Sequence, residues 1–414
     1  MSPYLGYLVH PITGERVAEE HAYLPTAIDG GHVYAVPQYD LGAMRGLETT
    51  DDPGLFRYRA LLPIDDGPVV TLQEGNTPLL PVSRVGESLG IPSLFVKDES
   101  RNPTWSYKDR LAAVAVTKAV QQGRDTVVVS STGNHGAAVA AYAARAGIRC
   151  VVLTLASVPQ AMKTLMQSYG AETVAVETPT DRWVLMRQLV EQRNWVPMSG
   201  FVGPPSGSNP FGCEGYKTIA YELHAQLGEV PDVVVAPVAY GDAIAGLQRG
   251  FADLVTLGLT SRVPRLVASE PFGPYERALR EGFDPTAVVA AGSSVSFSIA
   301  TPSATWQGWN ALASTGGAAA SATDEQTMAA QHALASSEGV FLEASSSTTV
   351  AVLPELRARG VISETDTVVL LGTSTGLKDV PTTAARLPAV PVIEPTLAAL
   401  DAALATVSGR GPVR

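Results

Sequence analysis

From residue 94 onward, short runs of apolar and mostly β-branched residues alternate with longer stretches rich in alanine. Apolar runs of this length are typical of strands buried on both faces of a parallel sheet. The predicted strands are 94–99, 126–131, 150–156, 173–177, 232–237, 265–270 and 367–372. The predicted helices are 107–122, 135–147, 160–170, 182–194, 212–227, 243–257 and 347–358. This alternation predicts an α/β fold of right-handed strand–helix–strand units, with mostly parallel sheets flanked by helices.

Interruptions of this pattern predict the domain organisation. Residues 1–70 are rich in proline, glycine and aromatic residues, and the Pro/Gly/Ser-rich stretch 196–211 favours a domain junction. The segment 313–322, ASTGGAAASA, is expected to form a mobile or loosely packed loop. The predicted segments are an extension packed on the core over 1–70, an N-terminal lobe over 71–205, a C-terminal lobe over 206–385, and a tail over 386–414 with a short amphipathic helix at 394–407.

Composition and charge narrow the class of protein. The 414 residues are 45% apolar and 17% charged, which allows a large buried core and excludes a disordered chain. The formal net charge of −11 argues against nucleic-acid or anionic-membrane partners, although backbone donors can still bind small anions. Two cysteines, Cys150 and Cys213, exclude a disulfide framework and a cysteine-rich zinc site. Because the sequence shows neither a signal peptide nor a long apolar run, we expect a cytoplasmic protein.

Ligands of open α/β sheets bind outside the carboxyl ends of the strands, so the polar residues there are candidates for a site. Lys108 stands where a loop passes into a helix, and it is either a solvated lysine or a Schiff-base lysine. Burial and the helix N-terminus would help to deprotonate a lysine of the second kind. The segment 130–147, which begins SSTGNHG, either presents N–H groups to an anion such as a carboxylate or forms an ordinary capped turn.

Two further strand ends carry candidate residues. The segment 237–246 is similar to a phosphate-binding loop of backbone amides, provided that Asp242 points away from the phosphate or pairs locally. The segment 370–379 offers the hydroxyl groups of Thr373, Ser374 and Thr375, any of which is alternatively a turn residue.

Six segments occur in an order that resembles the fold-type II pyridoxal-phosphate enzymes, and within them the threonine synthases. They are EGNTPLL (74–80), FVKDES with NPTWSYKDR (95–110), SSTGNHG (130–136), NPFGCEGYKT (209–218), VAPVAYGD (235–242) and GTSTGLKD (372–379). The resemblance runs from about residue 56 to residue 380. It implies a two-lobed, tryptophan synthase β-like fold, pyridoxal 5′-phosphate as cofactor, a small amino acid as substrate, and a homodimer.

The resemblance also implies roles for individual residues. Lys108 would hold the cofactor as a Schiff base and act as general base for the substrate Cα proton. Asn134 would contact the ring hydroxyl oxygen, and Thr373 the pyridine nitrogen, where a hydroxyl partner suits elimination and replacement. The cofactor phosphate would be bound by Ala239, Tyr240, Gly241, Asp242 and Ala243. The substrate carboxylate would be bound by the turn that contains Ser131 and Thr132.

Six positions depart from the family pattern or leave a choice of role. Trp105 replaces a glycine, and its indole either contacts the substrate or packs in the core. Gly212 replaces an arginine that is associated with the substrate phosphate, and its absence removes a bidentate partner. His135 follows the asparagine as it does in serine and threonine dehydratases, and it is either a substrate contact or a helix-start residue. The candidates left for a substrate phosphate are Lys97, Ser106 and Arg110, of which Lys97 and Arg110 fit equally well as structural ion-pair partners.

These residues support more than one function. The first hypothesis is a lyase or replacement enzyme of the threonine synthase type, acting on an activated amino acid of the O-phosphohomoserine or O-phosphoserine class. The second is a dehydratase that releases ammonia from serine, threonine or diaminopropionate. The third is a cofactor-binding protein without activity, against which Lys108, Asn134 and Thr373 together argue. No metal site is expected, because the N-terminal segment lacks paired cysteines.

Overall fold

The computed structural model describes residues 4–44 and 46–407, and the chain divides into two compact units, Met1–Lys378 and Asp379–Arg414. All seven predicted strands are present in the first unit, where they belong to two sheets. No helix in the described ranges is long and apolar enough to cross a membrane.

The larger sheet has six strands. Their spatial order is Ala318–Ser321, Arg265–Glu270, Val233–Pro237, Val368–Gly372, Leu94–Asp98 and Leu79–Pro81. The first five strands are parallel to one another, and only Leu79–Pro81 is antiparallel to its neighbour. The carboxyl ends of the parallel strands therefore meet at one edge.

The smaller sheet has four parallel strands. Their spatial order is Glu172–Val176, Arg149–Leu155, Thr126–Ser130 and Val196–Pro197. The predicted boundary near residue 205 does not coincide with the sheets, because Leu79–Pro81 and Leu94–Asp98 join the larger sheet. The division into two lobes stays a prediction.

The inner strands of both sheets are buried on both faces, as the continuous apolar runs predict, whereas the edge strand Glu172–Val176 is largely exposed. Val127 and Val129 pack in the principal hydrophobic cluster, whereas Val128 points to the opposite face and contacts a cluster containing Met186 and Phe201. Side chains alternate in the same way in the larger sheet. This alternation follows from the period of two residues in a strand. Because the strands themselves are mostly apolar, polar side chains lie mainly at their ends.

The predicted helices are found, with shifts of a few residues at their ends. The α-helices of the first unit are Ser83–Ser88, Lys108–Gln121, Asn134–Ala146, Gln160–Ser168, Pro179–Arg193, Pro210–Cys213, Lys217–Leu227, Asp242–Thr256, Pro274–Glu281, Trp306–Ser314, Asp324–Glu338, Ala344–Ala351 and Leu353–Ala358. The second unit contains Val380–Ala384 and the predicted tail helix, Leu397–Val407. Pro274–Glu281, Trp306–Ser314 and Asp324–Glu338 were not predicted.

The prediction of a mobile loop over 313–322 is wrong. Residues Ala318–Ser321 form a strand whose three alanines are almost completely buried. A side chain at the preceding Gly317 would collide with the carbonyl group of Leu266. Small residues are needed here because the chain passes close to its neighbours, and a strand without β-branched residues gives little sequence signal.

The N-terminal residues pack on the main body of the first unit. A three-stranded antiparallel sheet and a hairpin precede the α/β region; their strands are Leu5–Val9, Arg16–Val17, Thr26–Ile28, Gly31–Val33 and Val36–Tyr39. Phe56 and Tyr58 lie in the same hydrophobic cluster as Leu111 and Ala137 of the α/β region. Cys150 and Cys213 are free and buried.

Candidate active site

A cavity of about 580 Å³ lies at the carboxyl ends of three parallel strands. The turns after Thr126–Ser130, Val233–Pro237 and Val368–Gly372 supply one part of its lining. Other lining residues come from the first turn of Pro179–Arg193, from the segments 199–208 and 297–303, and from Tyr107, Lys108, Met162, Glu343 and Lys378. The cavity brings together Lys108, Ser131, Thr132, Asn134, His135, Ala239, Tyr240, Gly241, Asp242, Ala243 and Thr373.

Lys108 is the first residue of the helix Lys108–Gln121, and its side chain is half-buried in the cavity wall. Its Nζ lies 4.5 Å from the ring centroid of Tyr107 and 5.7 Å from that of Tyr216. Burial lowers the pKa of Lys108, but the neighbouring Tyr107 and Asp242 raise it, and the net shift is above the ordinary value. Burial by itself thus acts in the predicted direction, but the influence of Tyr107 and Asp242 is larger.

The turn before helix Asn134–Ala146 is held by its own serine. Ser131 Oγ accepts hydrogen bonds from the backbone N–H of Gly133 (3.1 Å) and of Gly136 (2.8 Å). The side chain of His135 is buried on the cavity wall, and its Nε2 has no hydrogen-bond partner among the described residues. Burial, with a smaller contribution from Lys108, holds the pKa of His135 well below its usual range. This imidazole is neutral, and its Nε2 is buried without a partner among the described residues.

The Asn134 side chain is held by hydrogen bonds to one acidic and one basic residue. Its Nδ2 donates to Glu343 Oε2 (3.0 Å), and its Oδ1 accepts from Lys378 Nζ (2.7 Å). Burial lowers the pKa of Lys378 to about 8, although Glu343 and Asp109 oppose the shift. Lys378 is therefore a cavity amine that loses its proton only slightly above neutral pH.

The loop 239–243 turns its carbonyl groups away from the cavity. The Tyr275 hydroxyl donates to the carbonyl oxygen of Ala239 (2.9 Å), and Gln307 Nε2 donates to that of Tyr240 (2.8 Å). Gly241 has φ +74°, in the left-handed region that glycine adopts without strain. The first N–H groups of the following helix have no acceptor within the helix. An anion bound at this loop would meet backbone donors and the positive end of the helix dipole.

The Asp242 carboxylate is hydrogen-bonded to other protein groups. The loop was predicted to bind a phosphate only if Asp242 pointed away from the phosphate or paired locally. Its carboxylate accepts from the backbone N–H of Ser208 (2.9 Å), from Ser208 Oγ (2.8 Å) and from Gln307 Nε2 (2.7 Å). These donors hold the carboxylate against the segment around residue 208. Its negative charge is thereby compensated by hydrogen bonds.

Thr373 follows the central strand Val368–Gly372, and its side chain is buried in the cavity wall. Its Oγ1 shares a hydrogen bond of 2.6 Å with Ser346 Oγ, which also accepts from the backbone N–H of Ser374 (3.1 Å). Thr373 is thus oriented by neighbouring groups and presents a neutral hydroxyl to the site.

Lys97 and Arg110 do not reach the cavity. Lys97 Nζ donates to Glu222 Oε2 (2.7 Å) and to the carbonyl oxygen of Thr77 (2.7 Å). Arg110 donates to Glu99 (2.7 Å) and Glu222 (2.7 Å), and both cations are completely buried. The hypothesis that they contact a substrate phosphate is wrong, because this network already pairs both charges.

Three other predicted positions also lie outside the cavity lining. Ser106 is completely buried beside Ser374 and is not a substrate contact. The Trp105 side chain is 47% exposed, so it neither packs in the core nor covers the described cavity. Trp105 has φ +62°, which explains why glycine suits this position. A Cβ at Gly212 would lie 2.9 Å from Leu111 Cγ in the helix Lys108–Gln121, so close packing favours glycine at this position.

The sequence reasoning missed three charged residues of the site: Arg182, Glu343 and Lys378. Lys378 belongs to the GLKD segment that carried the resemblance, so its place after a strand end was a usable signal. Arg182 and Glu343 precede or begin helices in segments without a recognised motif. Only packing places them at the cavity.

The cavity fits pyridoxal phosphate in three ways. Lys108 provides an amine in the wall, the loop 239–243 provides backbone donors, and Thr373 provides a buried hydroxyl. A Cβ at Gly241 would lie 2.5 Å from Gly308 Cα, so only glycine permits the close approach that forms this loop.

Comparisons with known proteins agree with this geometry. Residues 70–374 match the family described as pyridoxal-phosphate dependent enzyme. Threonine synthase of Methanosarcina acetivorans is 35% identical over 347 residues, covering 80% of this chain and 81% of the relative. Threonine synthase of Mycobacterium tuberculosis is 34% identical over 346 residues, covering 82% and 92% of the two chains.

Solved structures share the fold at lower identity. A fungal L-serine ammonia-lyase from Rhizomucor miehei has a TM-score of 0.63 at 20% identity, covering 75% of this chain and 96% of that one. O-ureido-L-serine synthase bound to O-ureido-L-serine, as the K43A mutant, has a TM-score of 0.62 at 22% identity, with 82% and 97% covered. The predicted fold-type II class is confirmed by these matches. The chain belongs to the family of pyridoxal-phosphate dependent enzymes and is a lyase of the threonine synthase type.

Proposed function

We propose that this lyase acts on a phosphate ester of an amino acid, of the O-phosphohomoserine or O-phosphoserine class, and replaces the phosphate with another nucleophile. The observation that carries the proposal is the charge of the cavity. Its described lining contains three basic side chains, Lys108, Arg182 and Lys378, but only two carboxylates, Asp242 and Glu343. Both carboxylates already accept hydrogen bonds from protein groups. The cavity therefore suits a ligand with several negative charges.

Pyridoxal phosphate, when bound, supplies an electron sink for the charge that develops at the substrate Cα. In our proposal, Lys108 holds the cofactor and then takes the Cα proton on its Nζ. The neutral hydroxyl of Thr373 leaves the ring nitrogen without a full proton, which favours elimination over transamination. The turn 131–134 orients the substrate carboxylate, and the loop 239–243 binds the cofactor phosphate.

A dehydratase is the second candidate, and His135 is the observation that favours it. His135 lines the cavity and its buried Nε2 has no partner among the described residues, within a GNHG turn that is similar to the turn of serine and threonine dehydratases. In this alternative the substrate is free serine or threonine, and ammonia is released. The positive charge in the cavity would then be compensated only by the cofactor phosphate and the substrate carboxylate.

The test is a visible-absorbance titration of the purified holoenzyme with O-phosphohomoserine, O-phosphoserine, threonine and serine, with released phosphate and ammonia measured in the same samples. We expect phosphate release from one of the two esters. Ammonia from free serine or threonine without phosphate release would instead establish the dehydratase. The Lys108→Ala variant serves as control and should lose both turnover and the visible absorption of the covalently bound cofactor while remaining folded by circular dichroism.

The resemblance also leads us to propose a homodimer. Light scattering on the holoenzyme tests this proposal, and a monomeric mass would contradict it.

A further inference from the structure

Arg182 is a buried cation without a countercharge. Its side chain lies on the cavity wall, is only 9% exposed, and has an Nε without a hydrogen-bond partner among the described residues. No described carboxylate lies within 4.0 Å of its guanidinium nitrogens. Buried arginines are normally paired, as Arg110 is with Glu99 and Glu222. An anion entering the cavity would compensate the cost of burying this charge.

The neighbours of Arg182 leave it free to bind a ligand. The carboxylate of the adjacent Asp181 is used by a capping box with Thr178, at the start of the helix Pro179–Arg193. Trp183 packs beside Gly203, where an added Cβ would lie 3.4 Å from the indole. Burial lowers the pKa of Arg182, and nearby Tyr240 opposes this shift. Arg182 and the loop 239–243 line the same cavity.

Two phosphate groups would enter this cavity, one on the cofactor and one on the proposed substrate. The loop 239–243 already offers backbone N–H groups for the first of them. Arg182 belongs to a different lining segment, the first turn of Pro179–Arg193, although Tyr240 of the loop is close enough to affect its pKa. A guanidinium group matches two oxygens of a phosphate monoester, and it stays charged at any working pH.

We propose that Arg182 binds the phosphate of the substrate and replaces the arginine that is absent at Gly212. This inference rests on the proposed function. It assigns the recognition of the leaving group to the helix Pro179–Arg193, because Gly212 is confined by its packing against Lys108–Gln121.

The experiment compares the holoenzyme with Arg182→Gln and Arg182→Lys, and with Arg187→Gln as the matched control. Arg187 lies on the same helix but is exposed and outside the cavity lining. The binding of inorganic phosphate is measured by calorimetry, the retained cofactor by absorbance, and kcat and KM with the phospho-ester. We expect Arg182→Gln to weaken phosphate binding and raise KM by about ten- to a hundredfold, with the cofactor retained. Arg182→Lys should recover part of the binding, and Arg187→Gln should match the wild type.

Each negative result of this experiment leads to a different conclusion. Unchanged phosphate binding in Arg182→Gln would overturn the inference. Loss of the cofactor from Arg182→Gln, with phosphate binding unchanged in the molecules that retain it, would also overturn it and assign Arg182 to the cofactor phosphate. If the wild type releases no phosphate from either ester, the proposed function fails. The calorimetric comparison would still show whether Arg182 is an anion site.

Discussion

At the scale of single residues, the environment and not the residue type decides which cations serve the site. Lys97 and Arg110 share Glu222 and lie outside the cavity lining, whereas Arg182 and Lys378 lie on its wall. A buried cation with good partners is a structural element, and removing one partner leaves an uncompensated charge. Lysine and arginine in family motifs therefore cannot be assigned to a substrate by position alone.

Glu222 tests the structural role of this network. Replacing Glu222 with Gln leaves Lys97 and Arg110 with a single remaining acid, Glu99, in a fully buried setting. We expect a loss of about 3–5 kcal/mol in the free energy of unfolding. The measurement is urea unfolding at pH 7, and the exposed Glu229→Gln variant is the control, for which we expect no significant change.

We also expect the stability difference between the wild type and Glu222→Gln to depend on pH. Although burial alone would raise it, the Arg110 and Lys97 charges lower the pKa of Glu222 from 4.5 to about 2. An acid with a lowered pKa stabilises the folded state fully above pH 4.5, and this contribution is lost as the pH falls toward 2. The stability difference between wild type and Glu222→Gln should therefore shrink between these values. A difference that is independent of pH in this range would contradict the lowered pKa.

At the scale of elements, the site is made by the turns that follow parallel strands. In the loop between Val233–Pro237 and Asp242–Thr256, the carbonyl groups of Ala239 and Tyr240 accept hydrogen bonds from Tyr275, Thr305 and Gln307, which leaves backbone N–H groups for the anion that we propose. Those three residues come from segments that packing brings to the loop. The local geometry of a strand–turn–helix unit and its support by distant elements are both required.

Gly241→Ala tests this loop. A left-handed φ costs a residue with a side chain about 1–2 kcal/mol, and here the new Cβ would also lie 2.5 Å from Gly308 Cα. We expect the affinity for pyridoxal phosphate to fall by about tenfold or more, measured by fluorescence titration of the apoenzyme. Gly228→Ala is the matched control, since Gly228 has φ +76° but nothing within 4 Å of an added Cβ. An equal effect of both changes on the affinity would show that backbone strain alone is responsible.

At the scale of the whole molecule, the first unit builds its cavity from residues far apart in the sequence. Lys108, Arg182, Asp242 and Lys378 line the same cavity. A ligand that contacts all these segments binds the folded state and not the unfolded chain. Binding of pyridoxal phosphate is therefore linked to the stability of the entire unit.

This linkage predicts a cofactor-dependent melting temperature. A ligand present at one hundred times its Kd stabilises the folded state by about 2.7 kcal/mol. We expect the holoenzyme to melt above the apoenzyme, and the gap to narrow in Lys108→Ala, which lacks the covalent attachment. Differential scanning calorimetry provides the measurement. A gap of equal size in Lys108→Ala would indicate that Lys108 contributes nothing to cofactor binding.

Much of the fold was predictable because its signals are local. The apolar runs at 126–131 and 232–237 became strands of the two sheets, and the alanine-rich segment 107–122 became the helix Lys108–Gln121. The strand Ala318–Ser321 was not predictable, because its alanines are set by close packing and not by strand propensity. The helix Pro274–Glu281 was missed as well.

The sequence by itself determined the α/β class and the turns at the strand ends, because these depend on local periodicity. Its resemblance to a known family predicted the cofactor and proposed Lys108 as the residue that holds it. Only the tertiary structure decided that Lys97 and Arg110 are internal ion-pair partners while Arg182 and Lys378 line the cavity. The physical reason is that the cost of a buried charge depends on its neighbours in space. Glu222 lies 112 positions from Arg110, and Asn134 lies 244 positions from Lys378. Local sequence patterns do not indicate contacts between residues so far apart in the chain.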